Sequence, residues 1–398
     1  MAGVLANPSR LTGIDAARGL ALLGMMVTHL IPLTEAGSTT WAIAFAGRAS
    51  ALFAVLAGVS LALSVRPESL REPRGWLRQA AGVAARAGVI IAIGLSLGEL
   101  DSGLAVILVH YGVLFLLAAS VLRLPAGWLG GLGVAWLLLM PVALHAIRAA
   151  GILPAFGYDS PAWTGLADPA QFFSGLLVTG YYPVLSWFGY ILVGMALGRA
   201  DLRRASLALS LGFFGAGAAL AAKAASAALL LSGGLTALEQ VWEHGRGLRA
   251  FSLEYYLEVS GYGTTPANSW WWLAVSGPHT GTPFDLLHTA GVAVAVIGAA
   301  CALCQLHAGR VLVTPLSWAG RMPLTLYTAH VCAMVWRDAA DPELLLLLHI
   351  GGALVFAAGW QLVTATATGA PRRGPLEGVA AASSRAARAR VGQPQSPN

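Results

Sequence analysis

Runs of about twenty apolar residues recur along this chain, and each is long enough to cross the hydrocarbon layer of a bilayer as a helix. Ten stand out, approximately 12–33, 41–65, 80–99, 103–122, 127–148, 172–198, 205–232, 283–306, 311–335 and 342–366. In lipid every backbone amide must be satisfied within the protein, which a helix achieves inside its own segment. The composition agrees: of 398 residues, 57% are hydrophobic and 11% charged, against about 25% charged in a soluble domain. The expected fold is all-α, a polytopic transmembrane bundle of about ten spans. Residues 1–370 form one membrane domain.

Arginine sets the orientation. Alternating the flanks of the ten runs puts fifteen arginines on one side, among them Arg71, Arg74, Arg78, Arg199, Arg203, Arg204 and Arg310, and four on the other, Arg148, Arg246, Arg249 and Arg337. Positive charge is retained inside, so both termini are expected in the cytoplasm of a multi-pass plasma-membrane protein. The net charge of +6 therefore reports loops, and nucleic acid is not an expected partner. The three cysteines, Cys301, Cys304 and Cys332, lie in apolar runs. The Cys301-x-x-Cys304 pair lacks a second ligand pair, so packing is the expected role and no metal is expected. Residues 233–282 make an extracytoplasmic loop rich in tyrosine and tryptophan, either an aromatic belt or a lid over a site. Residues 371–398 are expected to be a basic, disordered cytoplasmic tail.

The chemistry sits where lipid should forbid it. The first run, "GIDAARGLALLGMMVTHLIPL", carries Asp15, Arg18 and His29, and intramembrane charges normally face a bundle interior or a water-filled cavity. At 100° per residue, Arg18 and His29 lie about 300° and about 320° around the helix from Asp15, so the three share one face. Asp15 and Arg18 are spaced to pair. His29 is about 21 Å further along. This arrangement suggests a lined path with a charged pair at one mouth and an imidazole toward the other.

Other groups can converge on the His29 end. Of the nine histidines, only His307 falls on the cytoplasmic side, and imidazole is the natural general base near neutral pH. Arg48 opens the second run. Asp285 and His288 are three apart, so the carboxylate can orient the ring. Arg321 lies within "PLSWAGRMPLTLYTAH", which ends at His330. Lys223, the one lysine, either snorkels or serves the site.

The set Asp15-x-x-Arg18-Gly19, His29 and "GRASALFAVLAGVSLAL", with "PHTGTPFDLLHTAG", "PLSWAGRMPLTLYTAH" and "RGPLEG" further on, resembles the transmembrane acyltransferases. In particular it resembles the heparan-α-glucosaminide N-acetyltransferase catalytic family and its YeiB-like bacterial relatives. The resemblance implies transfer of an acyl group, acetyl above all, from cytoplasmic acyl-CoA as co-substrate to a sugar, glycolipid or other polar acceptor across the membrane. It implies a donor-side role for Asp15 and Arg18 and an acceptor-side base at His29; His279, in the glycine-flanked loop "GPHTG" near the outer mouth, is the second choice for the base. Arg48 and Arg321 would stabilise the oxyanion, and Asp285, His288 and His330 would contact substrate. The sugar N-acetyltransferase branch keeps asparagine at the place of His29 and a histidine shortly downstream, where this chain has none; hydroxyl acylation is the expectation. The bilayer, the acceptor and, as an option, a second copy in a homodimer are the expected partners. Two other functions use the same features. A transporter or flippase would use the intramembrane charges as substrate sites, although no internal repeat is visible. A non-catalytic scaffold would use the tryptophan-rich loop as a partner surface.

Overall fold

A computed structural model of the protein describes residues 11–35, 38–65, 68–72, 74–151, 153, 160–243, 252–259, 261–339, 341–368 and 373–392. Arg10, Arg66, His244, Arg246, Arg249 and Arg372 lie outside them. The helices are α1 (Thr12–Leu30), α2 (Arg48–Ser64), α3 (Gly75–Gly98), α4 (Leu108–Ser120), α5 (Ala126–Ala149), α6 (Pro169–Ser174), α7 (Val184–Gly198) and α8 (Ala205–Leu229). They continue as α9 (Leu235–Glu243), α10 (Leu253–Val259), α11 (Pro283–Leu303), α12 (His307–Leu312), α13 (Thr314–Ala319), α14 (Pro323–Ala333), α15 (Pro342–Thr368) and α16 (Pro375–Gly392). Among the described residues the one sheet is a two-stranded antiparallel turn, Thr34–Glu35 against Ser38–Thr39.

Six described segments are long and apolar enough to cross a membrane: Trp41–Ser64, α3, α5, Ala205–Trp242, α11 and α15. The pair Pro169–Thr179 and Val184–Gly198, bent by 46°, is apolar enough to make a seventh if the two cross as one broken span. The expected ten is not reached by continuous apolar helices, for physical reasons. α1 has 19 residues, but Asp15, Arg18 and His29 dilute its apolar content. α4 has only 13. The run at 311–335 is divided into α12, α13 and α14, with Pro315 and Pro323 in the opening turns of the last two; proline suits a first turn and breaks an interior.

Residues 375–392, expected within a disordered tail, instead form α16 along α3. Ala380 and Ser384 are buried there, and Ser384 and Arg388 lie where Gly82 of α3 has no side chain. Tertiary packing rather than intrinsic apolarity holds such a helix. The stretch 233–282 likewise contains α9, α10 and a 3-10 turn at Trp270–Ala274. Trp272 is fully buried against Tyr256 and Leu238, whereas Trp270 is exposed, so the three consecutive tryptophans divide between packing and surface.

α1 is the hub, packed on α2, α11, α13 and α15. Where it crosses α13, Gly19 lies on the backbone of Leu316 and Gly320 on the backbone of Asp15. A side chain at either would displace main chain, and small residues are what allow such close crossings in membranes. Gly320→Val is expected to lower stability by about 1–3 kcal/mol, read as a fall in thermal midpoint of the detergent-solubilised protein; an unchanged midpoint would contradict the crossing.

Candidate active site

The face of α1 drawn through Asp15, Arg18 and His29 does turn into the bundle, and it borders two cavities. The larger, about 820 Å³, is lined by Asp15, Arg18 and Met25; the smaller, about 350 Å³, by Met25, Thr28 and His29. Met25 lines both. A second link lies beside it, where the Tyr111 hydroxyl on the larger cavity donates to the carbonyl of Ser50 on the smaller one, at 3.1 Å. The single continuous path suggested by the sequence is therefore two chambers with a thin wall of side chains between them. Both volumes are of ligand-site size.

The larger chamber is strongly basic. Its inner end is an ion-paired knot: Arg18 Nη1 lies 2.8 Å from Asp15 Oδ1 and donates to the Gly320 carbonyl at 2.9 Å, while Nη2 donates to Ser60 Oγ at 2.8 Å. Arg321 Nε lies 3.6 Å from Asp15 Oδ2. One carboxylate thus serves two guanidinium groups, and the knot ties α1 to α2 and to the turn before α14. Outward from it, Arg86, Arg203, Arg373, Arg385 and Arg388 line the same chamber, so seven arginines face Asp15, Asp201 and Glu377. Arg86 also stacks over the Phe115 ring at 5.3 Å. Glu377 fixes the register of α16 by accepting from the backbone N–H groups of Leu324 and Thr325 and from the Thr325 hydroxyl, at 2.6, 3.2 and 2.7 Å. That gives a carboxylate at a helix N-terminus, where the dipole favours it.

The smaller chamber is aromatic and imidazole-lined. His29, from the last turn of α1, and His279, from the loop before α11, share it with Phe45, Tyr181, Tyr182, Tyr255 and Tyr262. His279 has φ of 56°, a left-handed backbone uncommon outside glycine. It is held there because Gly263 N–H donates to its carbonyl at 2.7 Å and its ring packs on Tyr181 at 4.7 Å. Burial, with His29 nearby, lowers its imidazole to about 4, so the ring is neutral near neutral pH. Tyr255 and Tyr262 come from the stretch expected as belt or lid; here they form chamber wall.

Several expected site residues lie elsewhere. Arg321 belongs to the Asp15 knot and does not line the His29 chamber. Arg48 donates to the Ile43 carbonyl at 2.8 Å and to His288 Nε2 at 3.2 Å, and it is not among that chamber's lining residues. His288 is completed by the Ala219 carbonyl at 3.0 Å, not by Asp285. Asp285 caps α11: its amide donates to Thr282 Oγ1 at 3.1 Å and its carboxylate accepts from Gly281 N–H at 3.0 Å, the reciprocal logic of a capping box. Lys223 holds the adjoining loop by donating to the Ser276 carbonyl at 2.8 Å. His330 lies 3.0 Å from His29 but, like Arg48, is not among the lining residues of that chamber. The sequence reading did not single out Arg86, Arg385, Arg388 or His349. Arg86 carried a usable signal, an arginine inside an apolar helix. The other three become site residues only through the packing of α16 and α15.

The family model described as heparan-alpha-glucosaminide N-acetyltransferase, catalytic, matches residues 10–236. That range holds Asp15, Arg18, Met25, His29 and Arg86, while His279, Arg321, His330 and α16 lie beyond it. A search of curated proteins finds no match.

Proposed function

Because the chain belongs to the heparan-alpha-glucosaminide N-acetyltransferase catalytic family, we propose that it moves an acetyl or other acyl group from acyl-CoA in the basic chamber to a polar acceptor in the His29 chamber. The observation that carries this reading is that one helix face borders both chambers and that they touch at Met25. Coenzyme A is a phosphate-rich donor with a slender thioester arm. Arginine is the side chain suited to phosphate, and seven line the larger chamber. The arginine bias of the loops supports a cytoplasmic position for this mouth, the side on which acyl-CoA is available. The smaller chamber, with its tyrosines and imidazoles, suits the ring faces and hydroxyls of a sugar or glycolipid acceptor on the opposite side.

In the reaction the thioester carbon is delivered past Met25. His29 Nε2 takes the acceptor hydroxyl proton, the oxygen attacks the carbonyl carbon, and the C–S bond breaks. The thiolate regains a proton and leaves by the chamber through which it entered. Arg48 and Arg321 lie away from the His29 chamber, so oxyanion stabilisation is assigned to donors lining it, His279 or the tyrosine hydroxyls.

Met25 acts as the divider. Methionine is unbranched and adaptable, so its side chain can yield to the acyl arm. Met25→Phe is expected to abolish transfer while donor binding survives, since the arginines are untouched. The test uses purified protein in detergent with radiolabelled acetyl-CoA: thiol release and retention of label on binding, compared between wild type and Met25→Phe. Absence of acetyl-CoA binding and of thiol release by the wild type would overturn the assignment. Full transfer by Met25→Phe would overturn the route.

A further inference from the structure

Behind His29 the structure holds two more imidazoles in series. His29 Nδ1 lies 3.0 Å from His330 Nε2, and His330 Nδ1 lies 2.6 Å from His349 Nδ1. Each ring comes from a different helix, α1, α14 and α15. The first two rings are within 9° of coplanar with centroids 5.2 Å apart. That separation is close to the N···N distance plus the two ring radii laid end to end, so the hydrogen bond lies in the plane of both rings. The second pair is at 85° with centroids 4.7 Å apart, again close to an end-to-end contact. His330 is buried, whereas His29 and His349 are each partly exposed. His349 lies about two turns from the polar start of α15, where Asp341 precedes the helix and Glu343 opens it.

These nitrogens do not converge on an ion. Imidazole nitrogens bound tetrahedrally at about 2.0–2.1 Å from zinc stand more than about 3.2 Å apart, and both contacts are shorter. They point at one another as donor and acceptor. A neutral imidazole has one donor and one acceptor nitrogen, so a row of three is satisfied in two registers. In the first, His29 Nδ1–H donates to His330, His330 Nδ1–H donates to His349, and His29 Nε2 carries a lone pair. In the second, every proton has shifted toward His29, and His29 Nε2 carries a hydrogen. The first register makes His29 a base toward its chamber, and the second makes it an acid.

We propose that His330 and His349 are relay residues that switch His29 between base and acid during acyl transfer, an inference resting on the assignment of His29 above. As the acceptor oxygen bonds to the thioester carbon, His29 Nε2 takes the hydroxyl proton. His29 Nδ1 passes its own proton to His330 Nε2, His330 Nδ1 passes one to His349 Nδ1, and His349 Nε2 releases one to water. When the C–S bond breaks, His29 Nε2–H protonates the thiolate. The row then refills from water through His349 in the reverse sense. Ester and thiol are formed, no charge accumulates at His29, and every proton is accounted for. Imidazole chains suit this because each ring can take a proton on one nitrogen and give one from the other.

The test compares wild type, His29→Ala, His349→Ala and His349→Gln in the detergent assay, with and without added imidazole. His349→Ala is expected to lower kcat by about 10-fold or more, to leave KM for the acyl donor unchanged and to regain rate with added imidazole. His349→Gln, which holds only a hydrogen bond, is expected to stay slow. Solid-state 15N spectra of histidine-labelled protein should show N–H···N coupling between rings in the wild type, with one coupling lost in His349→Ala. An inactive His29→Ala beside a His349→Ala of wild-type kcat overturns the relay and leaves the base assignment standing. Equal rates in His349→Gln and wild type, or a slow His349→Ala that imidazole does not rescue, also overturn it. A fully active His29→Ala overturns the base assignment and the relay together.

Discussion

His29→Ala is expected to lower acyl transfer by about 10²–10⁴-fold, the range a positioned general base contributes, while acetyl-CoA binding and thermal stability stay at wild-type levels. The separation of effects follows from position. His29 lies on the smaller chamber, and the arginines that would hold the donor line the larger one. His29 sits in the last turn of α1 and is only partly buried, so its truncation removes one bond to His330 and leaves no buried charge behind. His279→Ala, on the same chamber, tests the runner-up. The assay is label transfer to acceptor alongside a donor-binding titration. Wild-type transfer in His29→Ala with loss of transfer in His279→Ala would exchange their roles.

The sequence made the α1 face legible because helical periodicity is a local property. Asp15, Arg18 and His29 project to one side whatever surrounds them, and lipid forbids that side to be outward. The pairing of Asp15 with Arg18 was legible for the same reason. Partners from other helices were not. Arg321 lies in a run that reads as a span, yet Pro315 and Pro323 divide it and the turn delivers Arg321 to Asp15. Those prolines stand in the sequence, and weighing them as helix starts places Arg321 nearer the Asp15 end of α1. Asp285 and His288 have helical pairing distance, but Gly281 N–H captures the first and Ala219 and Arg48 capture the second. Spacing sets what can meet, and competing partners decide what does. The tail shows the converse case. Its alanine, serine and arginine content suits a disordered segment, and only Gly82 on α3 reveals a seat for it.

That seat gives the second large effect. The double variant Arg385→Ala/Arg388→Ala is expected to weaken acetyl-CoA binding by about 10²–10⁴-fold, since each hydrogen-bonded contact to a charged group contributes about 1.5–3 kcal/mol. Asp15 and Arg18 are poorer probes of donor binding, because breaking a buried ion pair costs about 3–5 kcal/mol of stability by itself, and Asp15 serves both Arg18 and Arg321. Arg385 is exposed and Arg388 half-buried beside Gly82, and Ala380, Ser384 and Glu377 remain to dock the helix. The loss should therefore appear in donor KM and Kd, with kcat at saturating donor close to wild type, and the salt dependence of binding should become shallower as two phosphate contacts disappear. Dephospho-CoA, which lacks the 3′-phosphate, discriminates further. If α16 holds that phosphate, wild type should bind dephospho-CoA poorly and the double variant should no longer distinguish the two nucleotides. Undiminished preference for the 3′-phosphate in the double variant would move the phosphate site to Arg86, Arg203 and Arg373 and leave α16 as a structural cover.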